Sequence, residues 1–359
     1  MSRFTAGNRF QEMAIRLPFF NQITRHYLRD LFGLMTGFVG AQVLAACVEL
    51  DLFTQLRGGP KSLSALCFPS KIKPREAARL MQTAESFGLV KINRRGDYAL
   101  TLKGSAIAAD PGIAVMVKHH ARLYQDLQSP LALFETPMPR TELRDFWHYT
   151  DPESAATEDK HSLAYSDVMA ASQPMVIDAV LAGFPFHHHK RILDIGGGHG
   201  GFLTRLLSKV PELEATLADL PPVADDAKAK LANTSVAQRI KTTGMAFRVD
   251  AFPPDHDLIT MIRIAFDHPD ERLEMLFSKA FEALDSGGRL LIAEPMASKK
   301  RSRAAINGYF DMYLLAMGGG RLRTVEEFAS LLRRAGFEAP RPHKSRTPEL
   351  ISLLSARKP

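Results

Sequence analysis

The run Leu193-Asp194-Ile195-Gly196-Gly197-Gly198-His199-Gly200 restricts the fold of this chain more than any other stretch. A short apolar strand, Arg191 to Ile195, stops on glycines. Glycines directly after a strand let the backbone pass close to a ligand, and the helix that follows presents free N–H groups. In open α/β sheets, ligands sit beyond the carboxyl ends of the strands. Asp219 closes the second strand, Ala215 to Asp219, where its carboxylate can accept hydrogen bonds from a ribose diol.

The pattern around this run alternates strand and helix to the end of the chain. Gly201–Val210 and Val223–Leu231 read as helices, Met245–Asp250 as the third strand and Leu258–Ile264 as the fourth. Glu271–Leu284 is amphipathic, the turn Ser286-Gly287-Gly288 follows, and Arg289–Glu294 is the fifth strand. Thr324 and Glu327 have the spacing of a capping box opening a last long helix. Phe337 onward and Leu350–Ser355 supply two closing strands. The expected fold class is therefore α/β: a doubly wound, mainly parallel sheet with helices on both faces, occupying residues 151–359.

Residues 1–150 read differently, and 359 residues suffice for two separate cores. Helical segments run through Phe20–Phe32, Gly40–Leu56 and Ser62–Cys67, and Pro74 sits at the first turn of a helix that ends at Gly88. Leu89–Ile92, the turn Asn93–Asp97 and Tyr98–Leu102 then form a hairpin, which is the layout of a winged helix. A winged helix suggests DNA binding, but the exposed face of the presumed recognition helix, with Arg75, Glu76, Arg79 and Glu85, is mixed in sign. A reader of phosphates is richer in Lys and Arg, so a dimerising module without nucleic acid is the better reading.

Leu31 to Val48 carries no charge and just reaches the lower length of a membrane span. Its three glycines, with a Gln and a Thr, fit a buried helix at a subunit interface better. The start, Met1 to Arg16, is charged and lacks the apolar run of a secretory signal. Two cysteines are too few for a disulfide framework, which fits a reducing cytoplasm. The net charge of +7 is dispersed apart from Lys299, Lys300, Arg301 and Arg303, a solvated loop. Within a helical connector, residues 106–190, stand the only tryptophan, Trp147, and His187-His188-His189; adjacent histidines splay apart and do not make a metal site. No metal is expected.

Gly196, Gly198 and Gly201 also satisfy the dinucleotide spacing G-x-G-x-x-G, with an acid about 20 residues on, so an NAD-dependent enzyme competes. The late position of this unit after a large helical region counts against it. So does Asp250, expected at the end of the third strand within reach of an adenine amino group.

In LDIGGGHG, Asp219-Leu220-Pro221 and Ser286-Gly287-Gly288-Arg289-Leu290-Leu291-Ile292, the chain resembles the O-methyltransferases that include caffeate and acetylserotonin methyltransferases. The resemblance spans nearly the whole chain. It implies S-adenosylmethionine as cofactor and a homodimer joined through the N-terminal winged-helix domain. A narrower likeness, to carotenoid hydroxyl methyltransferases of purple phototrophic bacteria, is carried by residues 38–56, His119–Phe134 with Phe146-Trp147, residues 165–173 and Tyr309–Thr324. It implies methylation of the tertiary 1-hydroxyl of an acyclic carotenoid, a hydrophobic small-molecule substrate. Delivery of a carotenoid to a cytoplasmic enzyme attached peripherally at the inner face of the photosynthetic membrane would suit the basic charge and the apolar N-terminal helix. A bacteriochlorophyllide ring carbon, or a phenolic or polyketide acceptor, is the alternative.

Carried over residue by residue, the resemblance places Gly196 and Gly198, with Asp194, against the methionine part of the cofactor, and Asp219 on the ribose. Leu220, Asp250 and Phe252 would surround the adenine, and Arg263 would lie near the cofactor at the end of the fourth strand. The family pattern after that strand is Arg-Val-Leu-His-Asp with the His as general base. Here it is Arg263-Ile264-Ala265-Phe266-Asp267-His268, with phenylalanine in the base position. The acid of the plant Gly-Gly-Lys-Glu-Arg-Thr segment is also replaced, by Leu322. Three outcomes stay open: His268 supplies the base; positioning and desolvation suffice, with water taking the proton; or the chain is a weakened paralogue. His119, His120, Tyr309 and Tyr313 are further candidates to line the pocket, and Phe310, Met312, Leu314 and Met317 suit an apolar tunnel.

Overall fold

The computed structural model describes residues 18–147, 170 and 172–359, with side chains from residue 25 onward. Described residues divide into two compact units, residues 1–118 and 119–359. The division expected at residue 150 lies outside the described residues, as do most of residues 165–173 and all of the first sixteen.

The first unit is built from α1 (Pro18–Glu49), α2 (Leu52–Arg57), α3 (Pro74–Ser86), the hairpin β1 (Val90–Ile92) and β2 (Tyr98–Leu100), and α4 (Leu102–Ala109). Strand β1 runs antiparallel to β2 with Val90 opposite Leu100. Asn93 closes the wing, its side-chain oxygen accepting from Arg95 N and Asp97 N. Leu52, Phe53, Met81, Ala84 and Tyr98 bury the core of this unit. The two helical segments expected between Phe20 and Leu56 are joined at residues 33–39 and split instead at Asp51. Each glycine in a helix costs about 1 kcal/mol without breaking it, whereas Asp51 sits at φ 54 and ends the run. Gly40 also lets α1 approach Phe87, whose Cε1 would stand 2.8 Å from an added Cβ. The apolar stretch of α1 is not buried in the chain itself: Tyr27, Leu31, Phe32, Leu34, Met35 and Phe38 are exposed. One helix among the described residues, Arg25–Glu49 within α1, is long and apolar enough to cross a membrane, and only 11% of that window is buried.

Helix α5 (Pro111–Asp126) leads into the second unit, which continues with α6 (Glu142–Phe146) and α7 (Pro174–Gly183). The α/β part follows: β3 (Arg191–Ile195), α8 (Gly201–Lys209), β4 (Glu214–Asp219), α9 (Pro221–Leu231), β5 (Ile240–Gly244), β6 (His256–Ile262), α10 (Asp270–Ala283) and β7 (Leu284–Glu294). Then come α11 (Ala304–Met317), α12 (Val325–Arg334), β8 (Glu338–His343) and β9 (Ser352–Arg357). The sheet order is β5-β4-β3-β6-β7-β9-β8, with the first five strands parallel and β9 and β8 antiparallel. Alternate residues of the central strands enter two different cores, as a sheet covered on both faces requires. Leu193, Ile259 and Leu290 pack on one side; Ile192, Leu258 and Leu291 pack on the other.

One strand lies elsewhere than expected. The third parallel strand is Ile240–Gly244, not Met245–Asp250. Lys241, Thr242 and Thr243 make it a polar edge strand, paired with β4 alone, so no apolar run announced it. The apolar residues after it serve a loop, in which Met245 and Phe252 fold back onto the core. The fourth strand ends at Ile262, leaving Arg263 just beyond it at φ 59. The turn expected at Ser286–Gly288 falls inside β7 as an irregularity in its pairing with β6.

Candidate active site

At the carboxyl end of β3 the chain turns through Gly196 (φ 70), Gly198 (φ 54) and Gly200 (φ 77), a left-handed region that glycine enters freely. A Cβ on Gly196 would lie 2.3 Å from Ile264 Cδ1, and one on Gly197 2.7 Å from Leu217 Cγ. A Cβ on Gly198 would meet nothing within 4 Å. The loop is thus packed from below and open above Gly198, as a cradle for a ligand must be. Helix α8 starts immediately after Gly200, with its first N–H groups at this edge.

Asp219, at the end of β4, ties the cradle to the next strand. Its Oδ2 accepts from Gly198 N at 2.8 Å and its Oδ1 from Leu220 N at 2.7 Å. Gly196 N donates to Ala218 O, and Met245 N to Asp219 O, both at 2.8 Å. Each carboxylate oxygen keeps a further lone pair for a diol. Asp194 lies beneath, its Oδ1 accepting from Thr260 Oγ1 at 2.5 Å. Burial pushes Asp194 up to about 7, opposed by the Thr260 bond and reinforced by Asp219. Burial likewise pushes Asp219 up to about 6 against its two amide bonds.

The segment after β6 forms the other wall. Arg263 N donates to Ala293 O at 2.9 Å and its guanidinium to Ser172 Oγ at 3.0 Å. Glu294, fully buried at the end of β7, accepts from Ile264 N at 2.8 Å and Ala265 N at 2.6 Å. Burial, with Asp267 beside it, holds its carboxyl well above the usual range. The chain Gly319–Thr324 clasps this segment from outside. Arg321 N donates to Phe266 O, and a Cβ on Gly320 (φ 73) would lie 2.1 Å from the same oxygen. The wholly buried Arg323 side chain donates to His268 O at 2.8 Å and pairs with Asp270.

His268, the expected base, is buried in this clasp. Burial and the charges of Arg272 and Arg323 pull its imidazole down to about 3, and its Nδ1 has no partner among the described residues. Phe266 is buried and packs edge-on against Phe310 of α11, at 6.4 Å between centroids. On the same helix stand two tyrosines, each bonded to a histidine of α5. Tyr313 Oη lies 2.6 Å from His119 Nε2, and Tyr309 Oη lies 2.7 Å from His120 Nε2. Trp147 Nε1 donates to Tyr313 Oη at 3.0 Å. Burial pulls His119 down to about 4, helped by Arg122, His120 and Arg263, and raises Tyr309 to about 12.

The structure therefore gathers Asp194, Gly196, Gly198, Asp219 and Leu220 into one cradle and sets Arg263 on the wall beside it. Asp250 does not end a strand: it lies exposed in the loop after β5, and its carboxylate accepts from Ala246 N to close its own turn. Phe252 is buried in the core against Phe247. His189 pairs with Asp257 at 3.6 Å and stacks on Phe184, while the rings of His187 and His188 lie 4.0 Å apart, tilted by 50°, in a short turn. Among the described residues no group of three or more His, Cys, Asp or Glu is placed to hold a metal ion. The Tyr313–His119 pairing joins residues 194 apart in sequence, so spacing gave no signal of it.

Comparison with known proteins agrees with this geometry. Residues 145–338 match the O-methyltransferase domain family. Demethylspheroidene O-methyltransferase of Cereibacter sphaeroides is 34% identical over 357 residues, 99% of this chain and 94% of that protein. The enzyme of the same description from Rhodobacter capsulatus is 36% identical over 355 residues, 99% of this chain and 88% of that protein. The fold is that of human N-acetylserotonin methyltransferase, solved with S-adenosylmethionine (TM-score 0.75, 23% identity, 92% of this chain and 97% of that one).

Proposed function

The chain belongs to the O-methyltransferase family and is S-adenosylmethionine-dependent, and from that premise we propose that it methylates the tertiary hydroxyl of an acyclic carotenoid. The observation that carries this is the likeness, over 99% of the chain, to two demethylspheroidene O-methyltransferases. The apolar surroundings of Phe266 and Phe310 suit such an acceptor.

The residues present fit the cofactor. Gly196 and Gly198 leave room for its amino-acid part, with Asp194 buried beneath them, and Asp219 offers lone pairs to the ribose. Leu220 borders the adenine side, and Arg263 sits on the facing wall. Phe252 and Asp250 belong to the loop after β5, where Phe252 adds apolar surface. When bound, S-adenosylmethionine supplies a sulfonium methyl: one C–O bond forms, one C–S bond breaks with its electron pair kept by sulfur, and the hydroxyl proton has to leave. Glu294 fixes the wall by holding the Ile264 and Ala265 amides, which keeps Phe266 in place to exclude water.

We also infer a homodimer that covers the exposed apolar face of α1, in a cytoplasmic enzyme meeting its substrate at a membrane surface. Sedimentation of the full chain tests the first point, and co-sedimentation with anionic vesicles at low salt the second. The deciding experiment is product mass after incubation with S-adenosylmethionine and a 1-hydroxy carotenoid. Gain of one methyl on oxygen supports the reading. Tight cofactor binding with no methylated carotenoid overturns the acceptor while leaving the family untouched.

A further inference from the structure

Phe266 cannot take a proton, and Nδ1 of the buried His268 ring has no partner to relay one, yet methylation of an alcohol releases one. Counting hydrogens in the buried aromatic cluster points to where it goes. Trp147 Nε1 can only donate, so Tyr313 Oη accepts from it. The hydroxyl hydrogen of Tyr313 then has one acceptor at hydrogen-bond distance, His119 Nε2 at 2.6 Å. Leaving that buried hydrogen unbonded would cost about 1–3 kcal/mol. An Nε2–H tautomer would leave the Tyr313 hydrogen unbonded, whereas an Nδ1–H tautomer leaves the Nδ1 hydrogen unbonded, because Nδ1 is buried without a partner among the described residues. A bare Nε2 facing the Tyr313 hydroxyl is the arrangement that a relay requires. One lone pair of Tyr313 Oη is left over.

The cluster lies by the wall that carries position 266. Phe310, between Tyr309 and Tyr313 on α11, packs on Phe266. Ile264 of the same segment reaches Gly196 in the cofactor cradle. His119 and Tyr313 both feel the charge of Arg263.

We propose that Tyr313 and His119, held by Trp147, are the proton sink of the reaction. The substrate hydroxyl donates to the open lone pair of Tyr313 Oη. As its oxygen bonds the methyl carbon, its proton passes to Tyr313, and the proton of Tyr313 passes to His119 Nε2. Tyr313 ends neutral, His119 ends as imidazolium, and the ether product is uncharged. A protonated ether is a far stronger acid than any imidazolium, so a weakly basic histidine suffices. The identity of the acceptor rests on the reading above; the hydrogen arrangement does not.

Two measurements test it. The first is single-turnover methyl transfer by the wild type, Tyr313→Phe and His119→Ala, with cofactor affinity measured alongside. Both variants should bind S-adenosylhomocysteine as the wild type does and transfer methyl about 10²- to 10⁴-fold more slowly. The rate of His119→Ala should rise with pH and with added imidazole, which a packing defect would not produce. Wild-type rates in both variants, or a loss indifferent to pH and imidazole, would overturn the proposal. The second is the ¹⁵N spectrum of the wild-type histidines, with His119 assigned by its variant. A neutral Nδ1–H tautomer is expected, and an Nε2–H tautomer sinks the relay whatever the substrate proves to be. Should the wild type methylate no carotenoid, the acceptor is wrong and the tautomer alone decides the pair.

Discussion

The two halves of the candidate active site are made of different materials. The cofactor half is backbone: three left-handed glycines, the amides of Gly198 and Leu220, and a carboxylate that holds them. The acceptor half is side chain: two histidines, two tyrosines, a tryptophan and two phenylalanines, brought together from α5, from the residue that ends α6, from α11 and from the segment after β6. Burial also acts on the two halves with opposite signs. It raises the acids Asp194 and Asp219 and lowers the bases His119 and His268, so each half is driven toward neutrality. A site that receives a cation and an apolar alcohol is well served by walls that carry little charge of their own.

The contrast can be broken most severely where the acceptor half does depend on backbone. Gly320→Ala would force a Cβ to 2.1 Å from Phe266 O at a φ of 73°. Strain and overpacking together should cost about 3–5 kcal/mol in denaturant unfolding. A loss below about 1 kcal/mol would mean that the clasp yields. In the cofactor half, Asp219→Ala orphans two amides and removes the diol acceptor. Calorimetry should show about 100-fold weaker binding of S-adenosylhomocysteine, some 2–3 kcal/mol, with little change in the fold.

The opposite signs give two further tests. His268 has a folded pKa below its unfolded value, so the folded state binds fewer protons and wild-type stability falls as pH drops from 6.5 toward 3. His268→Ala lacks this term and should lose about 2 kcal/mol less than the wild type between pH 7.5 and 5. If its methyl transfer also fell more than tenfold, the reassignment of the base would fail. Asp194 has a folded pKa raised to about 7, so its contribution is greatest below pH 4 and is lost as pH rises toward 7. Asp194→Asn should therefore gain on the wild type with rising pH, on the order of 1 kcal/mol per unit in that window. Parallel pH profiles of variant and wild type would refute the reading.

The same contrast explains what the sequence disclosed. The cradle is local: strand, glycines and the acid of the next strand follow one another within 27 residues, so Asp194, Gly196, Gly198, Asp219 and Leu220 were legible. The Thr324–Glu327 capping box was legible for the same reason and is present. Asp250 was expected at the end of a strand it does not belong to, because β5 is a polar edge strand and apolar periodicity finds only strands with a face to bury. His268 was chosen by nearness in sequence to position 266, but the two carbonyls of that turn are held by Arg321 and Arg323 and its ring is shut inside. Tyr313 and His119 stood among several candidates, because only tertiary packing sets a tyrosine on a histidine 194 residues away.

The chain from Trp147 through Tyr313 to His119 has one more consequence. In the proposed relay, with its own hydrogen given to His119 and one lone pair filled by Trp147, Tyr313 can greet a newcomer only by accepting. An alcohol has a hydrogen to offer; the ether it becomes has none. The tyrosine thus reads a single atom, favouring reactant over product by about 1–3 kcal/mol, and a finished molecule is let go by the group that welcomed its precursor.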